Sequence, residues 1–467
     1  MNIDFCLKIF SFTRRITIHK TWLQYSVMTL AIGISVAAAY WGSVKILLLL
    51  VAMLGVVAAF FVTSQYRGLG VIFILLGGMF VPFSGPGGLN ASILAVIFLM
   101  AVWIMDMFIV KRKFQFIRSR TLRPAFYFII VSILAFGMGQ IPWFVFANQA
   151  PLDAQIGGFA IYFFLLATMI MTANLLQDTI WLKTIVWMFV GFGTIYVLGR
   201  ALHISIIHRL YQRGFHANSM FWLWIITLPL GQAIFNKHLT LRVRILMYGI
   251  VALAFYVNFV QQLGWKSGWV PPLIAAATLF GLRFRKLVLL LIPFALIVAV
   301  YLVNELISTD LYSWGTRVDA WLIVLEISKV SPLIGLGFAN YYWYAPLFPI
   351  RGYAIRFNSH SQFVDIIAQT GILGLFSFFW LLFEVGRLGW NLIHSLPDGF
   401  AKGYAHAVFA GVLGSVMAAF LVDWLLPFAY NIGLDGVRAS ILPWIFFGGL
   451  ISIEQIYSDQ RTSSAAP

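Results

Sequence analysis

The chain has 467 residues, 61% hydrophobic and 10% charged, with a mean hydropathy of +0.92 and a net charge of +16. Soluble domains carry about 25% charged residues, so an ordinary soluble globule is excluded. A transmembrane β-barrel is excluded as well, because runs such as Ile46 to Val62 show no alternation at period two.

An all-α, polytopic transmembrane helical bundle is therefore expected, since irregular backbone cannot face lipid. Residues 1–21 carry Lys8, Arg14, Arg15 and Lys20 without a small-residue cleavage pattern, and read as a retained cytoplasmic arm. Cys6 in that arm is the single cysteine, which leaves no internal disulfide to form. An integral membrane domain follows over 22–457. Its apolar runs centre near Ile34, Leu54, Leu75, Phe98, Ile130, Phe164, Phe189, Ile226, Ala252, Ala275, Ile297, Leu375, Gly414 and Phe447. That pattern predicts about 12–14 spans, the runs near Leu75 and Ala275 being short. A long loop with an amphipathic helix occupies 304–360, and 458–467 is a short cytoplasmic tail. No internal repeat is visible.

The basic residues set the orientation. With the N-terminus inside, cytoplasmic loops receive Arg67, the Lys111 to Arg123 cluster, Lys237, Arg242, Arg244, Arg283, Arg285, Lys286, Arg387 and Lys402, and both termini are cytoplasmic. This placement directs the positive charge to anionic lipid headgroups rather than to nucleic acid. The exceptions stand out: Arg200, Arg209, Arg213, Lys266, Arg317, Arg351 and Arg356, with His203, His208, His216 and His360, fall in outer loops. Basic residues snorkel at helix ends, but as a set these point to an anionic ligand on the outer face.

Arg213-Gly214-Phe215-His216-Ala217-Asn218 opens an outer helix. An arginine fork, a glycine that admits a ligand and a helix N-terminus together suit phosphate, although an ordinary loop-to-helix turn has the same composition. Lys266-Ser267-Gly268-Trp269 repeats the theme at the next outer helix. Arg317 and Trp321, four apart, share a face of a helix expected to lie along the membrane surface. His360, after Arg356 and Asn358, titrates near neutrality and can accept a proton from a hydroxyl, or can simply cap the helix behind it. Tyr341 to Tyr344 offer faces for sugars, or form an interfacial belt. His203, His208 and His216 could hold zinc, but the arginines around them disfavour a cation. Walker, nucleophile-elbow and nicotinamide motifs are lacking, as is an Asp-x-Asp pair.

Taken in order, Arg213 to Asn218, Lys266 to Trp269, Arg317 to Trp321, Ser331-Pro332-Leu333-Ile334-Gly335-Leu336-Gly337, Asn358-Ser359-His360-Ser361 and Gln369-Thr370-Gly371-Ile372-Leu373-Gly374-Leu375 resemble the motifs of the O-antigen ligase and O-antigen polymerase superfamily. The resemblance covers roughly Leu198 to Phe383. It implies a glycosyltransferase of GT-C type in the bacterial inner membrane, with its active site on the periplasmic face and without cofactor or metal. It further implies inverting transfer from an undecaprenyl-diphosphate-linked oligosaccharide donor. The acceptor is then a glycan or lipid A–core sugar, with membrane lipids and polysaccharide-assembly proteins as partners. Carried onto this sequence, the diphosphate contacts are Arg213, Lys266 and Arg317 and the base is His360, with Asn218, Trp321 and Asn358 contacting the acceptor or shaping the site. Lys266 stands where many relatives carry arginine, and Ser361 where many carry asparagine. A lipid-linked oligosaccharide transporter is the alternative; its charges would line a cavity crossing the bilayer, whereas Asp106, Asp365 and Asp423 fall near predicted helix ends.

Overall fold

The computed structural model describes residues 58–110, 112–284 and 311–465, with the isolated positions 29, 33, 55, 286 and 300. The chain divides into two compact units, residues 1–66 and 67–467. In the first, residues 58–65 are helical. The arm over 1–21, the span centres near Ile34, Leu54 and Ile297, and the start of the long loop lie outside the described residues.

The second unit is helical, with isolated β-bridges and no strand among the described residues. Its main helices are α1 (Arg67–Phe80), α2 (Ala91–Met105), α3 (Arg123–Met138), α4 (Leu152–Leu175), α5 (Thr179–Ala201), α6 (Ser219–Phe235), α7 (Leu241–Phe255), α8 (Lys266–Arg283), α9 (Leu311–Ser328), α10 (Gln362–Ser395), α11 (Phe400–Leu421) and α12 (Val437–Ala465). Eight helices are long and apolar enough to cross a membrane, and α1 and α6 are shorter apolar helices. The remaining expected span centres all fall on described helices, so the protein is an all-α polytopic bundle. The tail expected from 458 is still helical, as α12 runs on to Ala465.

Polar side chains start the helices where the sequence supplies them. Asn90, Asp178 and Asn218 each accept a backbone N–H from the first turn of α2, α5 and α6. The most apolar stretch of α12 is 100% buried. The helix forms the axis of the unit, packed on α4, α6, α10 and α1. Opposite ends of the bundle are pinned differently. At one, Glu384 is 1% exposed between Arg120 (2.9 Å) and Arg387 (2.8 Å). A buried carboxylate left without such partners costs several kcal/mol, about 3–5 when one partner is deleted. At the other, Arg438 donates to the carbonyls of Gly77, Val81 and Phe83, closing the end of α1 onto α12.

Helix α10 is broken at Gly371 (φ 67°, ψ −169°). The segment Ser331–Gly337 lies against the break and takes up the freed backbone groups. Leu336 N–H donates to Ala368 O (2.9 Å), Gly337 N–H to Gln369 O (3.1 Å), Ile372 N–H to Pro332 O (2.9 Å) and Leu373 N–H to Leu333 O (3.1 Å). Non-helical backbone is tolerated inside a membrane bundle only when protein satisfies it in this way. Side chains cannot fit between the two strands of this clasp. A Cβ on Gly371 would meet the Leu333 carbonyl at 2.3 Å, and one on Gly335 (φ 82°) would meet the Gln369 carbonyl carbon at 2.5 Å. The two glycine motifs of the sequence are thus the two halves of one clasp, and it anchors the middle of the long loop to α10.

Candidate functional site

The segment before α6 departs from the expected phosphate-binding helix start. Arg213–His216 is a four-residue turn, and α6 begins only at Ser219. The N-terminus of α6 is already closed: Asn218 Oδ1 accepts from Met220 N–H (2.8 Å), and its Nδ2 donates to Ser440 Oγ (3.1 Å) on α12. Asn218 is 1% exposed and is committed to capping α6 and tying it to α12. Gly214 makes room for protein rather than ligand, because a Cβ there would lie 2.4 Å from the Asp435 carboxylate. Arg213 itself is exposed.

A cavity of about 420 Å³ opens beside this turn. One wall is basic and polar, from Arg200 at the end of α5, Arg213, His216 and Gln262; the other is aromatic, from Tyr196, Trp222, Trp265 and Trp424. His216 stacks on Tyr196 with centroids 4.6 Å apart. Burial, with Arg200 and other cations nearby, pushes its pKa down to about 4, so it presents a neutral ring at neutral pH. The positive potential of the cavity therefore comes from the two arginines. His208 packs edge-on against the same Tyr196. No group of three or more His, Cys, Asp or Glu fit to hold a metal ion occurs among the described residues.

Lys266, the first residue of α8, is half-buried and adjoins Trp265, whose indole packs on Trp424 at 5.3 Å. It is not itself a wall of the cavity. Across Trp424 the chain leads back to Leu421 at the end of α11, whose carbonyl accepts from Arg317 Nη1 (3.3 Å). Arg317 and Trp321 do share a face of α9, but that face turns onto protein: Trp321 packs on Phe420 at 5.7 Å and donates from Nε1 to Ser359 O (2.7 Å). Leu322 faces outward at 63% exposure. Trp321 thus holds the backbone next to His360.

His360 has an exposed side chain and a left-handed backbone (φ 50°). Surrounding protein and the nearby Arg317 hold its pKa below 6.5. An imidazole in that state is neutral at neutral pH and ready to accept a proton. Asn358 is half-buried two residues before it.

Of the predicted contacts Arg213 alone lines the cavity, with Arg200. Lys266 follows Trp265 of its wall in the chain, and Arg317, near His360, reaches the carbonyl of Leu421, three residues before Trp424. The aromatic wall was missed, because Trp222, Trp265 and Trp424 come from three helix ends and read individually as interfacial aromatics. Tyr341 and Tyr344, which the sequence offers as sugar faces or as part of an interfacial belt, are buried in packing instead. Asp365, five residues after His360, is fully buried beneath the loop; its signal was an acid at the start of an apolar helix. Asp106, Asp365 and Asp423 lie at the end of α2, in the first turn of α10 and just beyond α11.

These features define a multi-pass helical membrane protein with a basic, aromatic cavity at one end of its bundle. Residues 233–379 match a family model described as O-antigen ligase. That stretch contains Lys266, Arg317, His360 and both halves of the clasp, while Arg213 and Trp424 flank it. No curated protein matches the chain.

Proposed function

We propose that the protein is a glycosyltransferase that moves an undecaprenyl-diphosphate-linked glycan to an acceptor hydroxyl at the periplasmic face of the inner membrane, without metal and with inversion. The reading is supported by a cavity lined by two arginines, and by an exposed histidine near Arg317 within the region that matches the family model. The acceptor oxygen attacks the anomeric carbon as the bond to the diphosphate oxygen breaks, and His360 takes the hydroxyl proton. Negative charge grows on the departing diphosphate, where Arg213, Lys266 and Arg317 stabilise it electrostatically. Lys266 supplies a point charge rather than a planar fork. The donor's own diphosphate linkage drives the reaction. Of the two acceptors, a second lipid-linked glycan, hence polymerase activity, is the preferred reading over ligation to lipid A–core.

Surface glycans of a deletion strain test this directly. Loss of chain length identifies a polymerase and loss of attachment a ligase; glycans unchanged in both respects would refute the proposal. Arg213→Ala and Arg317→Ala are expected to reduce donor use by about tenfold or more, the scale of a lost charge-assisted contact. Arg67→Ala, which breaks an ion pair with Asp106 at the far end of α2, serves as the control. Equal losses in all three variants would point to stability instead of donor binding.

The pH profile follows from His360. Activity should rise with pH through an inflection below 6.5, as the imidazolium loses its proton, and stay level through neutrality. Arg317 disfavours the charged ring, so Arg317→Gln should move that inflection upward. An inflection that stays in place while activity falls would separate Arg317 from His360.

A further inference from the structure

We propose that Asp365 and Tyr341 form a buried positioning unit that holds His360 in its left-handed backbone conformation. The inference rests on the reading of His360 as the base. A non-glycine residue at φ 50° persists only where its surroundings over-determine it. Here both peptide neighbours are pinned. Ser359 and Ser361 are 0% and 2% exposed. The Ser359 amide donates to Tyr341 Oη (3.3 Å), its hydroxyl donates to Asp365 Oδ1 (2.7 Å), and its carbonyl accepts from Trp321. The Ser361 amide donates to Ser359 Oγ (3.0 Å), and its carbonyl accepts the Asp365 amide (3.0 Å).

The carboxylate is the hub. Tyr341 Oη donates to Asp365 Oδ1 (2.5 Å), and its ring is fixed by stacking on Phe428 at 4.9 Å. Two hydroxyls therefore converge on one oxygen, while Asp365 Oδ2 is buried without a hydrogen-bond partner. An acid retained at 0% exposure in an apolar helix start, with two hydroxyl donors on one oxygen, is suited to holding backbone in place. Asp365 acts through Ser359 and touches no substrate: it is a positioning residue, and what it sets is the angle at which the imidazole leaves the loop. A small displacement of a reacting group can cost about 10²-fold in rate.

The test compares purified variants of the full chain at equal folded concentration. Lipid-linked glycan extracted from the deletion strain serves as donor, and membranes of that strain supply the acceptor. Asp365→Asn keeps the Oδ1 acceptor and should retain kcat within about threefold, whereas Asp365→Leu and Tyr341→Phe should lower kcat about tenfold or more while donor KM stays within about twofold. Should Asp365→Leu fail to fold, Tyr341→Phe and Ser359→Ala, each removing a single oxygen, carry the same test. Parent-level kcat in Tyr341→Phe and Ser359→Ala with an inactive His360→Ala would overturn the positioning unit and leave the base assignment intact. Asp365→Asn as slow as Asp365→Leu would overturn it too. An active His360→Ala would instead remove the reading on which the unit rests.

Discussion

His360→Ala is expected to lower glycan transfer by about 10²- to 10⁴-fold, the range for loss of a positioned general base. The side chain is exposed, so its removal opens no cavity in the core. The backbone stays clamped by Ser359 and Ser361, whose partners do not include the imidazole. Alanine at φ 50° carries a strain of about 1–2 kcal/mol, too little to explain loss of a folded membrane bundle. Protein level and the pool of lipid-linked donor should therefore match the parent while the product disappears. Normal surface glycan in this variant would sink the base assignment, and loss of protein along with activity would move the role of His360 from chemistry to folding.

Gly371→Ala is expected to act on the fold instead. At φ 67° and ψ −169° the residue occupies backbone space that is essentially glycine-only, and the added Cβ would sit 2.3 Å from the Leu333 carbonyl. Neither strand of the clasp can yield without breaking hydrogen bonds in a protein interior, so a loss of about 3 kcal/mol or more is expected. Gly352→Ala is the matching control: its φ is 83°, but nothing lies within 4 Å of the new Cβ. It bears the backbone strain without the clash and should cost about 1–2 kcal/mol. Thermal unfolding of the purified proteins in detergent reads the difference. Equal midpoints for the two variants would show that the clasp is soft.

The membrane character and the places of the helices were legible because they depend on local composition alone. Apolar runs near Phe164, Ile226 and Gly414 became α4, α6 and α11. The order of the motifs was legible for the same reason. What each motif touches was not, because that depends on neighbours distant in the chain. Asn218 has the look of a ligand contact, yet Ser440, more than two hundred positions away, turns it into a cap that locks two helices. Gly214 suited a phosphate, but Asp435 occupies the space. The pairing of Ser331–Gly337 with the break at Gly371 could not be read from two motifs that each look like an ordinary glycine turn. The aromatic wall was hidden because tryptophans are common at membrane interfaces, and only convergence distinguishes those that line a cavity.

The clasp also sets an order of assembly. When residues 331–337 first leave the insertion machinery, the chain that will satisfy their amides, 362–373, has not been made. The loop that presents His360 lies between the two, so it closes only after α10 has entered the bilayer. Trp321 of α9 is by then already made for Ser359, but Arg317 still needs the end of α11, which is synthesised later again. Nascent chains halted before α11 should therefore carry Arg317 without its Leu421 partner, and the proposed active site is completed late in synthesis, once most of the bundle is in place.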